Sequence, residues 1–176
     1  RYLPRMKKRG GFAFLVHPRD ISDVYRKYPF ARYVSDKKLK WFLRRFWPVV
    51  LSEVEGMKDQ NGDVARGWII TIPLTAEHDR DLAFKKIVHA IKLAEKFGAS
   101  IIGLGALTAS LTKGGLDLVG KVEAGITTGR AYTAKNVVDN VLAVADRMEI
   151  DLKNATIGIV GAAGGIGARA RGATDI

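Results

Sequence analysis

One stretch limits the fold more than any other. Ala155-Thr-Ile-Gly-Ile-Val-Gly161 is a nearly wholly apolar run that passes directly into Gly161-Ala-Ala-Gly-Gly-Ile-Gly167. A short apolar run of this kind predicts a buried strand. A strand, then G-x-x-G-x-x-G, then a helix start is the phosphate-binding turn of a dinucleotide fold. Glycine is required there because the turn is tight, the backbone must approach a pyrophosphate, and the following helix packs close to the strand. Gly161, Gly164 and Gly167 fit those roles, with Ala162, Ala163, Gly165 and Ile166 between them as further cofactor-binding candidates. The expected cofactor is NADP or NAD. The plainer alternative is a glycine-rich turn that binds nothing. The side chain that reads the ribose lies about 20 residues beyond such a loop, and nine residues follow Gly167. The expectation is therefore a truncated second domain, 151–176, whose cofactor site is incomplete.

The rest of the chain alternates strand and helix patterns. Phe12–Val16 reads as a buried strand stopped by Pro18, and Asp20 or Ser22 can cap a short helix through Tyr28. Lys37–Trp47 reads as a helix with Leu39, Phe42, Leu43 and Phe46 on one face. Strands at about Val49–Gly56 and Arg66–Pro73 flank Asn61-Gly62, a hairpin signal. His78–Phe97 is an amphipathic helix with Phe84, Ile87, Val88, Ile91 and Ala94 inward, and Gly98 is its natural stop. Ser100–Leu104 reads as a strand, Lys113–Leu118 as a glycine-containing turn, and Val122–Ile126 as a further strand. Ala131–Met148 reads as a helix with Ala134, Val137, Val138, Val141, Ala145 and Met148 inward. The predicted class is α/β. A basic arm (1–10) precedes an N-terminal α/β domain on the substrate side (11–150) and the truncated start of a Rossmann domain.

Charge is unevenly placed. Residues 1–50 hold 14 Lys and Arg against 3 Asp and Glu, and the remainder holds 15 of each. The excess concentrates in the arm Arg1–Arg9 and in a basic aromatic insertion, 25–47. There Arg26, Lys27, Arg32, Lys37, Lys38, Lys40, Arg44 and Arg45 are interleaved with eight aromatic residues. Helix 37–47 has the character of an interfacial helix, so an anionic membrane surface is an expected partner. An acidic carrier protein would be drawn by the same field. Nucleic acid is the least favoured partner, because no nucleic-acid motif accompanies the charge. The competing reading packs the apolar face of 37–47 on the domain's own core.

Several classes drop out. The chain has no cysteine, hence no disulfide framework, thiolate metal site or cysteine nucleophile. Its three histidines, His17, His78 and His89, are not in ligand spacing. No apolar run is long enough to cross a membrane, and the basic start lacks the marks of a signal peptide. The expected location is cytoplasmic, with membrane association through Lys37–Trp47.

In an α/β domain, ligands sit at strand ends. Thr127, Thr128 and Gly129 end a predicted strand and open a helix, Thr108 and Ser110 follow another strand, and His17 ends the first. These are the substrate-side candidates. Each has a structural counter-reading: a helix cap for the threonines and Gly129, a satisfied hydrogen-bonding role for His17. His78 and His89 read as solvent-facing or packed. Lys113 or Lys135 with a nearby aspartate could form a catalytic Lys–Asp pair, although Lys135 and Asp139 have the spacing of an exposed helix pair.

Four segments together resemble one family. They are Phe12–Pro18, Gly103-Leu-Gly-Ala-Leu-Thr-Ala-Ser110, Thr127-Thr-Gly-Arg-Ala-Tyr-Thr-Ala134 and Ile150–Gly167. They resemble the long-chain acyl-(acyl-carrier-protein) reductases of cyanobacteria and their bacterial relatives, described as predicted amino acid dehydrogenases or shikimate-dehydrogenase-like proteins. The likeness runs from about residue 11 to 168 and is most specific at Thr-Thr-Gly and the glycine loop. It implies NADPH-dependent reduction of a fatty acyl thioester, on acyl carrier protein or CoA, to an aldehyde through a cysteine thioester. No such cysteine can be carried over, and the family places it beyond the glycine loop. Gly165 stands where the family has a small or acidic residue. The resemblance thus implies the N-terminal part of a reductase, inactive by itself. Two other readings stay open: an amino-acid or shikimate-type dehydrogenase acting on a small polar acid, and a non-catalytic membrane- or protein-binding module. Homo-oligomerisation is also open.

Overall fold

The structure is a computed structural model that describes residues 10–18, 20–58, 60–74 and 79–172. The arm Arg1–Arg9 and His78 lie outside the described residues. The chain divides into two compact units, with the break between Thr128 and Gly129.

The first unit is an α/β layer built on a five-stranded sheet. Its strands are β1 (Gly11–Val16), β2 (Val49–Val54), β3 (Gly67–Thr71), β4 (Ala99–Leu104) and β5 (Gly125–Thr127), in the order β2-β3-β1-β4-β5. β1 runs parallel to β3 and β4, and β4 runs parallel to β5. β2 alone is antiparallel, joined to β3 through the expected Asn61-Gly62 turn with Gly62 at φ +84°. The intervening helices are α1 (Ile21–Lys27), α2 (Asp36–Arg45), α3 (Arg80–Lys96) and α4 (Ala106–Leu111). Short 3-10 helices occupy Pro29–Tyr33 and Lys113–Leu118. The second of these, read from sequence as a turn, bends at Gly114 and Gly115, both at positive φ.

α3 forms because its apolar residues recur at helical spacing, and it buries Ala83, Ile87, Ala90, Ile91 and Ala94. These pack on Ala13, Leu15, Trp68, Ile70, Ile102 and Leu104 from one face of the sheet. Phe84 and Val88, expected inside, flank this stripe and are partly buried. Inside the stripe, one turn after Ala83, sits Lys86, 1% exposed. Three glycines let aromatic rings lie across neighbouring strands. A Cβ at Gly67 would fall 2.2 Å from the Phe12 ring, one at Gly11 2.5 Å from Trp68, and one at Gly103 2.5 Å from Phe14. The ring fills the space that the glycine leaves, which pins strand register.

The second unit contains α5 (Arg130–Arg147) and α6 (Gly167–Gly172). Gly129 is the N-cap residue of α5 at φ +68°, a conformation glycine adopts without steric cost. Two expectations are corrected here. Residues 155–160 form no strand, and Val160 is fully exposed. An apolar run becomes a strand only when a neighbour takes its backbone hydrogen bonds, and these residues join no ladder. The inward stripe of α5 is also narrower than its pattern suggests. Ala134 and Ala145 are buried, but Val137 and Met148 are 41% and 66% exposed. α6, which packs on α5, is only six residues long.

Candidate apolar ligand site

Parallel strands bring the ends of β1, β3, β4 and β5 to one sheet edge. From β1 the chain moves out to β2 and β3 on one side. β4 lies on the other side of β1 and leads to β5. The ends of β1 and β4 therefore flank the topological switch point, where open α/β sheets hold their ligands.

His17 bridges that point. Its Nε2 accepts the Leu107 backbone N–H at 3.2 Å, and its Nδ1 lies 3.0 Å from the Pro18 carbonyl. The pairing assigns the proton to Nδ1, which donates to Pro18. Both ring nitrogens are thus engaged with backbone, which is the structural role weighed from sequence. Thr108 is fully buried, and its hydroxyl donates to the Gly105 carbonyl at 2.9 Å, tightening the start of α4. Thr112 in turn donates to the Thr108 carbonyl at 2.7 Å. Ser110 is exposed on α4. The β4–β5 register sets Thr127 opposite Gly103, and Thr128 follows half-buried. His17 and the Gly105–Thr108 turn are brought together directly. Thr127 stands on the next strand, β5.

An apolar cavity of this unit opens on the other side of His17. It measures about 590 Å³, within the roughly 300–1,000 Å³ typical of small-molecule sites. Its floor is Val16, Pro18, Thr71 and Pro73 at the ends of β1 and β3, with Val49 and Leu51 from β2. Its roof is the basic aromatic insertion: Val24 and Tyr28 around α1, Ala31 and Val34 from the following turn, and Leu39, Leu43 and Phe46 around α2. The few polar groups are His17, Asp23, Lys27 and Thr71 at its wall. Such a surface strips water from an apolar chain and offers little to a small polar acid.

Local chemistry explains the roof. Asp20 caps α1 by accepting the Ser22 N–H at 2.7 Å. The Ser22 hydroxyl, followed by its N–H, holds the Asp20 carboxyl below the usual carboxylate range. Tyr25 on α1 donates to Asp36 in the first turn of α2. α2 ends at Arg45, two residues short of the expected Trp47, and none of its residues is fully buried. All four residues of its apolar stripe line the cavity, Leu39 and Leu43 half-buried and Phe42 and Phe46 43% and 58% exposed. Neither competing reading of this helix describes it fully.

Lys86, not singled out by sequence, fastens the roof. Its Nζ donates to the Leu43 carbonyl at 2.7 Å and the Pro73 carbonyl at 3.0 Å. Leu43 lies in the last turn of α2, where carbonyls have no helical partner and cations are favoured. Burial, then the charge of Arg44, lowers the Lys86 pKa to about 8. A lysine standing in the apolar stripe of α3 was the available signal. Trp47 also stacks on exposed His89 of α3, with ring centroids 4.9 Å apart.

The glycine loop belongs to the second unit. Gly161 is at φ +80°, and the Gly164 N–H donates to the Gly161 carbonyl at 2.9 Å. A Cβ at Gly167 would lie 2.4 Å from the Gly161 oxygen, so only glycine closes this turn. The Arg130 side chain lies 3.2 Å from where a Gly165 Cβ would be, and Arg169 donates to the Gly165 carbonyl at 2.7 Å. Two guanidiniums thus lie beside the loop backbone. Arg130 opens α5 and had not been singled out.

The Lys–Asp alternatives are surface pairs. Lys113 and Asp117 approach to 3.3 Å with the lysine 65% exposed, and Lys135 pairs with Asp139 one helical turn away, both exposed. No protein-family model matches the chain, and no curated protein matches it. Among the described residues, no helix is long and apolar enough to cross a membrane.

Proposed function

We propose that the chain is the substrate-side portion of an NAD(P)H-dependent acyl-thioester reductase, and that its apolar cavity takes the fatty acyl chain. The observation that supports this is the cavity itself, an apolar chamber at the strand ends beside His17. About ten buried methylenes would contribute roughly 8 kcal/mol of gross hydrophobic free energy. Lys27 at the wall and the basic roof suit an acyl chain carried on an acidic protein or on CoA. In this reading Gly161–Gly167, with Arg130 and Arg169, would hold the cofactor phosphates, and the cofactor would supply hydride when bound. The residues of this chain bind the acyl chain, exclude water from it and position the roof. None supplies a thiol, since the sequence contains no cysteine. The exposed Lys113–Asp117 pair favours this reading over a small-acid dehydrogenase.

Displacement of a fluorescent polyunsaturated fatty acid by palmitoyl-CoA tests the cavity. Saturable, displaceable binding is expected. Val34→Trp, which fills the chamber, should weaken it about tenfold or more by blocking two or more methylenes, with the far-UV circular dichroism unchanged. Absence of displaceable binding would leave a non-catalytic module as the better reading.

A further inference from the structure

Between Ile21 and Trp47 the chain carries eight Lys or Arg and two Asp or Glu. The same segment exposes large aromatics: Phe30, Tyr33, Trp41 and Phe46 are all more than half exposed. Tyr33 and Trp41 lie off the cavity lining, and Phe30 and Phe46 line the cavity while staying exposed, so charge and aromatic surface coincide on the exposed roof. We propose that this face docks on an anionic phospholipid bilayer, with α2 lying flat in the headgroup layer.

At ten residues α2 is about 15 Å long, too short to cross a bilayer but suited to lie along one. Its rings would enter the headgroup and upper acyl region while its cations meet lipid phosphate. Arg45 stacks on Trp41 at 4.9 Å, so this cation travels with the ring. Arg44 and Arg45 also share a surface hollow with Asp79, Asp81 and a third cation, Lys85. Lys37 and Lys38, exposed at the other end of the helix, add to the attraction. That residue type separates a lipid partner from a protein one. Lysine is depleted in protein interfaces, whereas at a bilayer its long stem lies along apolar surface and its ammonium reaches the headgroups. Docking does not depend on the acyl reading, because it rests on the exposed cations and rings of the segment and not on what the cavity holds.

The test is tryptophan fluorescence and co-sedimentation of the full chain with vesicles. Phosphatidylcholine vesicles with and without phosphatidylglycerol are compared at low and high salt. The chain has three tryptophans, and Trp68 is buried in the sheet. Brominated anionic lipid should quench Trp41 and Trp47 and spare Trp68, and binding should fall as salt rises. Reversing Lys37 and Lys38, both exposed, to Glu should weaken vesicle binding about 100-fold or more at low salt. Trp41→Ala tests the rings with the charges intact and should also weaken binding. Failure to sediment with anionic vesicles at low salt would overturn the proposal. So would unchanged binding after the lysine reversal, equal binding to neutral vesicles, or capture of an acidic carrier protein without any vesicle binding.

Discussion

At the scale of single residues, contacts across strands and between helices carry most of the specificity. Gly67 and Gly103 each lie under a phenyl ring, yet they should respond differently to a methyl group. Phe12 is half-buried over Gly67, whereas Phe14 over Gly103 is 42% exposed and has room to turn. Gly67→Ala is expected to cost about 1–3 kcal/mol by overpacking, and Gly103→Ala distinctly less. Urea unfolding of the two variants measures this, and equal losses would contradict it. Lys86 gives a pH prediction. Its folded pKa is about 8 against 10.5 for an unperturbed lysine, so the unfolded chain binds more protons between those values. Stability therefore rises with pH through that window, by up to roughly 3 kcal/mol at about 1.4 kcal/mol per pKa unit. The unfolding free energy of the parent chain, less that of Lys86→Met, should climb between pH 8 and 10. A flat difference would contradict the buried charge.

At the scale of elements, periodicity was a good guide where one neighbour covers one face. α3 and the β2–β3 hairpin lie close to their expected bounds, because a 3.6-residue stripe and an Asn-Gly step are local signals. Residues 155–160 show the limit. Their apolar character is local, but a strand also needs partners, which no local pattern encodes. Their amides should exchange with solvent much faster than those of β1. Hydrogen exchange read by mass spectrometry checks this, and protection equal to β1 would restore the strand. The site was legible to a similar depth. Glycines at 161, 164 and 167 announce a tight turn, and the turn is there. The two hydrogen bonds of His17, the place of Arg130 beside Gly165, and the Lys86 bridge to α2 each depend on tertiary neighbours. Spacing in sequence does not contain them.

At the scale of the whole molecule, the excess positive charge of the first 50 residues acquires a place. More than half of those cations lie on the segment that roofs the apolar cavity. The α/β layer supplies a rigid floor of strand ends, and Lys86 fastens the basic roof over it. A chamber that is apolar inside and cationic outside suits an amphiphile with an anionic head. An acyl chain is the occupant proposed for this chamber. Photo-crosslinking with a palmitoyl thioester bearing a diazirine near the end of its chain, followed by peptide mapping, tests it most directly. The label should fall on peptides spanning residues 24–34 and 39–51, and excess palmitoyl-CoA should remove it. Labelling confined to other segments, or labelling that competitor does not reduce, would contradict it.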